Sequence, residues 1–304
     1  LRDEDEIAVL EMGISDFGEM ARLTKIAKPD TCVITNIGTC HLENLGDRDG
    51  VLKAKTEIFQ SMKTNGHIVL NGDDDKLITV REYNGVKPVF FGLNSERDVY
   101  ADQIESKGLK GVACRIHLGE DAFDVLVPTP GIHMVYNALA AAAVGRIYGL
   151  TIEEIRRGIE SLETIRGRFK MIETDKFLVV DDCYNANPMS MKASLDVLHD
   201  GEGRRVAILG DMGELGEDEA ALHEGVGIHA ATCGIDACVC VGDLAVHIAE
   251  AARKANPDFP VYYEKTRESL LEHLNDYVQK GDTILVKASH FMKFEEVVKA
   301  LEEM

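Results

Sequence analysis

The chain has 304 residues, 53 of them acidic and 33 basic, giving a formal net charge of -20 at pH 7. That length predicts two domains of ordinary size, and the charge argues against a nucleic-acid or anionic-membrane surface, so anionic substrates would need local basic groups or metal ions. No apolar run approaches the length of a membrane span, the acidic opening is the reverse of a signal peptide, and Cys32, Cys40, Cys114, Cys183, Cys233, Cys238 and Cys240 lack C-x-x-C spacing and read as reduced core thiols of an intracellular protein.

Taken in order, residues 7–12 read as a strand, 15–27 as a helix and 31–37 as a second strand, with Pro29 as the break between the last two. A helix over about 50–62, a strand over 67–71, a helix near 75–83 and a strand over 89–92 follow. This alternation predicts a parallel sheet with helices on its faces. From 99 to 128 the period shortens to alternating strands at 103–105, 112–118 and 123–127, an antiparallel extension of the same domain. Residues 133–148 form an Ala-rich helix, and Thr151 with Glu154 three positions on is a capping box that opens another. Beyond residue 164, strands at 177–181, 206–209, 237–241, 261–263 and 283–287 alternate with helices, a second doubly wound unit of Rossmann type without a G-x-G-x-x-G.

The stretch Val179-Val-Asp-Asp-Cys-Tyr-Asn-Ala-Asn-Pro188 runs from an apolar strand through a polar turn into a helix, with Asn187 suited to the N-cap and Pro188 to the first helical position. Two carboxylates, a phenol and two amides stand where ligands of open α/β sheets bind, beyond the carboxyl end of a strand; an ordinary Asx-rich turn is the plainer alternative. Glu11 ends an apolar strand and reads equally as a metal ligand or a capping acceptor. His41, four residues past the second strand, reads as structural or as an imidazole ligand. Lys53 and Lys55 lie roughly 200° apart around a helix axis, so one is solvated and the other directed inward.

Seven elements occur in order: Glu11-Met-Gly; Thr35-Asn36-Ile-Gly with His41-Leu-Glu; Lys53-Ala-Lys55-Thr-Glu-Ile-Phe; Pro130-Gly-Ile-His-Met-Val-Tyr-Asn137-Ala-Leu-Ala-Ala; Gly167-Arg168-Phe; Asp181-Asp-Cys-Tyr-Asn-Ala-Asn-Pro; and Leu209-Gly-Asp-Met-Gly-Glu-Leu-Gly. Together they resemble the Mur ligases of peptidoglycan synthesis along essentially the whole chain. The resemblance implies residues 1–164 as the distal part of the central ATP-binding domain, a mostly parallel sheet with an antiparallel extension, and residues 165–304 as the Rossmann-like C-terminal domain.

By the same resemblance, Glu11, His41 and Lys55 as a carbamate are the catalytic residues and hold Mg2+. Asn137, Arg168, Asp182 and Tyr184 make the ATP site, with Asn137 near the base, Arg168 at a phosphate and Asp182 at the ribose. Asn36, Asn185 and Asn187 are candidates for substrate contact. The Asp-Asp-x-Tyr-Asn-Ala-Asn-Pro element implies ATP-dependent addition of D-alanyl-D-alanine to UDP-N-acetylmuramoyl-tripeptide, through an acyl phosphate, in the bacterial cytoplasm. Another Mur ligase, a folylpolyglutamate synthase and a non-catalytic relic that binds nucleotide or peptide are the alternatives.

Two departures stand out. Met134 replaces an amide, and a thioether cannot make an amide's hydrogen bonds. The chain also contains no Gly-Lys dipeptide, hence no phosphate-binding loop ending Gly-Lys-Thr or Gly-Lys-Ser, and no UDP-binding domain ahead of one. The expectation is an N-terminally truncated ligase with little or no turnover by itself.

Overall fold

The structure is a computed structural model and describes residues 2, 4–39 and 41–304; the reading of Cys40 as a core thiol lies outside the described residues. Elements follow in the order α1 (Glu19–Ala27), β1 (Thr31–Ile34), α2 (Leu42–Leu45), α3 (Arg48–Thr56), β2 (His67–Asn71), β3 (Val89–Gly92), β4 (Val99–Ser106), β5 (Val112–Leu118), β6 (Asp121–Val127), α4 (Ile132–Ile147) and α5 (Ile152–Glu160). The second half holds β7 (Lys170–Glu173), β8 (Leu178–Asp181), α6 (Pro188–His199), β9 (Arg205–Gly210), α7 (Glu219–Thr232), β10 (Ala237–Val241), α8 (Ala245–Ala255), β11 (Val261–Glu264), α9 (Arg267–Tyr277), β12 (Thr283–Lys287) and α10 (Glu295–Glu303).

The strands make two six-stranded sheets. The first runs β1-β2-β3-β4-β5-β6, parallel through β4 and antiparallel from β4 to β6. In the second, ordered β11-β10-β9-β12-β8-β7, every pairing is parallel except that of β7 with β8. The expected fold class, two mostly parallel sheets with an antiparallel extension on the first, is what the chain adopts. Helix α4 lays Val135, Leu139, Ala142 and Ala143 on the first sheet. The second sheet is covered by α6, α7 and α8 on one face and by α9 and α10 on the other, which is why its strands read as unbroken apolar runs.

Three local expectations are corrected. Residues 7–12 are not a strand: an extended segment becomes one only by pairing, and this one is left exposed at Ile7, Val9 and Leu10. Residues 75–83 are not a helix: they hold the single 3-10 turn Leu77–Thr79, and Tyr83 forms an isolated bridge with Val86. The β-branched residues there disfavour a helix, and the Asp74 carboxylate takes the Lys76 and Leu77 N–H groups instead. Strand β7 is additional, its Lys-Met-Ile-Glu too short and too charged to announce itself.

The two halves touch through the β4–β5 hairpin. Its Leu109 packs on the core of the second half, and Ser106 Oγ donates to Asp200 at 2.9 Å.

Candidate functional site

The polar turn after β8 is built on two neighbouring carboxylates with different duties. Asp181 is buried, 3% exposed; its Oδ2 accepts the Gly167 N–H at 2.9 Å and its Oδ1 the Cys183 thiol at 3.0 Å. Burial, then that contact, pushes the Cys183 thiol pKa up. Asp182 Oδ2 accepts the Ser194 hydroxyl at 2.7 Å and the Lys287 ammonium at 2.6 Å. Lys287 closes β12, is 2% exposed and also donates to the Asn185 carbonyl at 3.1 Å. A cation so buried persists because it is paired and hydrogen-bonded. Sequence reasoning missed Lys287; its signal is a lone ammonium closing the apolar run Thr283-Ile-Leu-Val.

The amides of this turn hold it in shape. Asn187 caps α6, its Oδ1 accepting the Ser190 N–H at 2.9 Å while Ser190 Oγ accepts the Asn187 N–H at 3.1 Å. Asn185 Oδ1 accepts the Ala186 N–H at 2.8 Å.

Tyr184 stands half-exposed with the Arg168 guanidinium 4.2 Å from its ring centroid and the His290 ring tilted against it at 5.5 Å, a cation–π arrangement. Arg168 Nη2 is in turn 3.7 Å from the exposed Glu11 carboxylate. A further bridge between the halves comes from the loop after β9, where Glu214, in the left-handed region at φ 60°, reaches His41 Nδ1 at 2.7 Å. This role of Glu214 is a second residue that sequence reasoning missed.

His41 sits at φ 58° in the loop after β1. That loop is held at Ile37, whose N–H donates to Asp74 at 2.8 Å and whose carbonyl accepts Arg48 Nε at 2.9 Å. The Arg48 guanidinium also bonds Asp75 and keeps that carboxyl below its ordinary range. Lys55 Nζ donates to the Asn36 carbonyl at 3.1 Å. Helix α4 carries Asn137, whose amide Nδ2 lies 3.4 Å from Met134 Sδ; the thioether thus serves as a weak acceptor. Both line a mainly apolar cavity of about 390 Å³ between α4 and α5, kept open by Ala141, Gly145 and Gly158.

These contacts link Arg168, Tyr184 and Glu11 in one constellation, His41 with Glu214 in another and Lys55 with Asn36 in a third. The sequence pattern of the Mur ligase middle domain matches residues 1–145, and that described as "Mur ligase, glutamate ligase domain" matches residues 167–290. The UDP-N-acetylmuramoyl-tripeptide–D-alanyl-D-alanine ligase of Escherichia coli is 34% identical over 100% of this chain and 67% of its own length. The chain belongs to the Mur ligase family.

The Bacillus subtilis ligase of the same name is 37% identical across 99% of the chain and 65% of its own length. The chain thus spans about two thirds of the length of these relatives. Among solved structures, MurF from Acinetobacter baumannii superimposes with a TM-score of 0.90 at 32% identity, covering 100% of this chain and 66% of that one. MurF from Thermotoga maritima in complex with ADP does so with 0.81 at 28%, covering 95% and 65%.

A Mur ligase with a magnesium ion needs hard oxygen donors around it. As arranged in this chain, Glu11 faces Arg168, His41 faces Glu214, and Lys55 presents an ammonium to a carbonyl. Among the described residues no group of three His, Cys, Asp or Glu side chains could hold a metal ion. The three residues do not fit magnesium in this arrangement. No helix among the described residues is long and apolar enough to cross a membrane.

Proposed function

We propose that the chain serves ATP-dependent amide-bond formation, adding D-alanyl-D-alanine to UDP-N-acetylmuramoyl-tripeptide during synthesis of the peptidoglycan precursor in the bacterial cytoplasm. The observation that carries this reading is the Arg168 guanidinium laid over the Tyr184 ring in the turn after β8, the turn that also carries the Asp182 carboxylate paired with Lys287 at the end of β12. It is the position in which an open α/β sheet binds ligands, and it has the chemistry for a nucleotide: a guanidinium for phosphate, a carboxylate for sugar hydroxyls and an aromatic face. Residues 1–164 act as the distal part of the ATP-binding middle domain without its phosphate loop, and residues 165–304 as the C-terminal domain.

In the proposed reaction the terminal carboxylate of the tripeptide takes the γ-phosphoryl group of ATP. The dipeptide amine then attacks the acyl carbon, expelling phosphate and releasing a proton as the amide forms. Arg168 offsets phosphate charge, Asp182 accepts from the ribose with the oxygen not given to Lys287, and Asn137 contacts the base. This is catalysis by position and electrostatics. Asn36, Asn185 and Asn187 flank the substrates through the loops they hold. Mg2+ belongs to the same reading as a counter-ion to the phosphates, but Glu11, His41 and Lys55, engaged with Arg168, Glu214 and the Asn36 carbonyl, do not supply its site in this arrangement.

Phosphate release by the full-length gene product tests the proposal, with UDP-linked tripeptide and D-alanyl-D-alanine added separately and together. Release is expected only with both; release indifferent to the dipeptide counts against it. Residues 1–304 alone, with no Gly-Lys-Thr or Gly-Lys-Ser to cradle the phosphates, are expected to show little or no turnover, and tripeptide ligation by them would refute the need for that loop.

A further inference from the structure

Arg168 is held on both sides in the chain. The preceding Gly167 lies in the left-handed region at φ 78°, and its peptide is gripped twice: its N–H donates to Asp181 Oδ2 at 2.9 Å and its carbonyl accepts the Tyr184 N–H at 3.0 Å. The residue after, Phe169, is buried in the core of the second half at φ 56°. A Cβ on Gly167 would stand 3.1 Å from Tyr184 Cβ, tighter than most such contacts, and φ 78° is strained for any other residue, so both the conformation and the spacing favour glycine here. The result is that the guanidinium of Arg168 lands over the Tyr184 ring.

Asp181 is the part of this grip that the fold does not need for its own sake. A carboxylate 3% exposed carries a desolvation cost, and among the described residues no cation is recorded in an ion pair with it; its recorded side-chain partners are the Gly167 amide and the Cys183 thiol. An apolar residue of similar volume would suit the end of β8, next to Val179 and Val180, as well or better. What it would lose is the acceptor that fixes Gly167.

We infer that Asp181 is a positioning residue: through the Gly167 N–H it sets the place of Arg168 against Tyr184 and so the affinity for the phosphate of the nucleotide. The inference rests on the proposed ATP site. It separates the two neighbouring carboxylates, Asp182 facing the ligand and Asp181 acting only through Arg168.

A double-mutant cycle on the full-length gene product tests it, reading KM for ATP and kcat separately. Asp181→Leu is expected to raise KM for ATP about tenfold, the size of coupling usual for residues in one network, while Asp181→Asn, which keeps an acceptor for Gly167, largely restores it. In an Arg168→Ala background, Asp181→Leu is expected to change KM no further. Gly167→Ala, which pushes on Tyr184 from the other side, should reproduce the Asp181→Leu effect and covers the case in which Asp181→Leu fails to fold. Should Arg168→Ala leave KM for ATP unchanged, the ATP reading of the site falls. If Arg168→Ala raises KM but the Asp181 effect adds to it in full, or Gly167→Ala has none, the positioning role falls while the ATP site stands.

Discussion

Asn187 shows how a residue chosen for one role can be held by another. Its side chain accepts the Ser190 N–H and completes a capping box with the Ser190 hydroxyl, so Asn187→Ala is expected to destabilise the protein by about 1 kcal/mol. Urea unfolding would register that loss, and KM for D-alanyl-D-alanine is expected to stay where it was; a rise in KM without loss of stability would restore substrate contact as its main task. The cap was legible in the sequence because Asn-Pro before an apolar periodic run has a local physical cause. The pairing of Asp182 with Lys287 was not, since the two are 105 positions apart and meet only because β8 and β12 are neighbours in the sheet. Glu214 reaching His41 was hidden for the same reason.

Most of the strands and helices were readable, because apolar periodicity is a property of each segment by itself. The second half was the clearer one, since its buried parallel strands are unbroken apolar runs flanked by helices. The misreadings, at 7–12 and 75–83, fall where formation depends on a partner strand or where a carboxylate claims the backbone N–H groups. Close approach of α7 and α8 is a further feature of elements and not of residues. A Cβ on Gly227 would stand 2.2 Å from the Ile248 carbonyl oxygen, with other backbone atoms of Ile248 at 2.9 and 3.0 Å. Backbone cannot swing aside as a side-chain tip can, so Gly227→Ala is expected to destabilise by about 1–3 kcal/mol through overpacking, despite the gain in helix propensity. An equal or higher urea midpoint in the variant would contradict the close contact.

At the scale of the molecule, a net charge of -20 at pH 7 means that mild acidification relieves self-repulsion. One buried imidazole acts in the opposite sense. His223 is 0% exposed, its Nδ1 donates to the Glu219 carbonyl at 2.7 Å and its Nε2 accepts the Met212 N–H at 2.9 Å. Burial lowers its pKa from 6.5. The unfolded chain therefore binds the proton first as pH falls, so the contribution of neutral His223 is complete above about 6.5 and is lost as pH drops through the folded value. Stability compared between pH 7.5 and 5.5 should show this loss, and His223→Gln should remove it; an unchanged pH slope in the variant would assign the effect elsewhere. The thiols add a different use. Burial pushes Cys32 up to about 12 and Cys114 up to about 11 and raises Cys233, while the contact with the Cys240 thiol, then burial, raises Cys238. Reagents that attack thiolates are thus held off while the fold is closed. Cys32 and Cys114 are therefore clocks for the opening of the first sheet and Cys238 for the second, so the rate at which each is alkylated would tell which half of the molecule comes apart first.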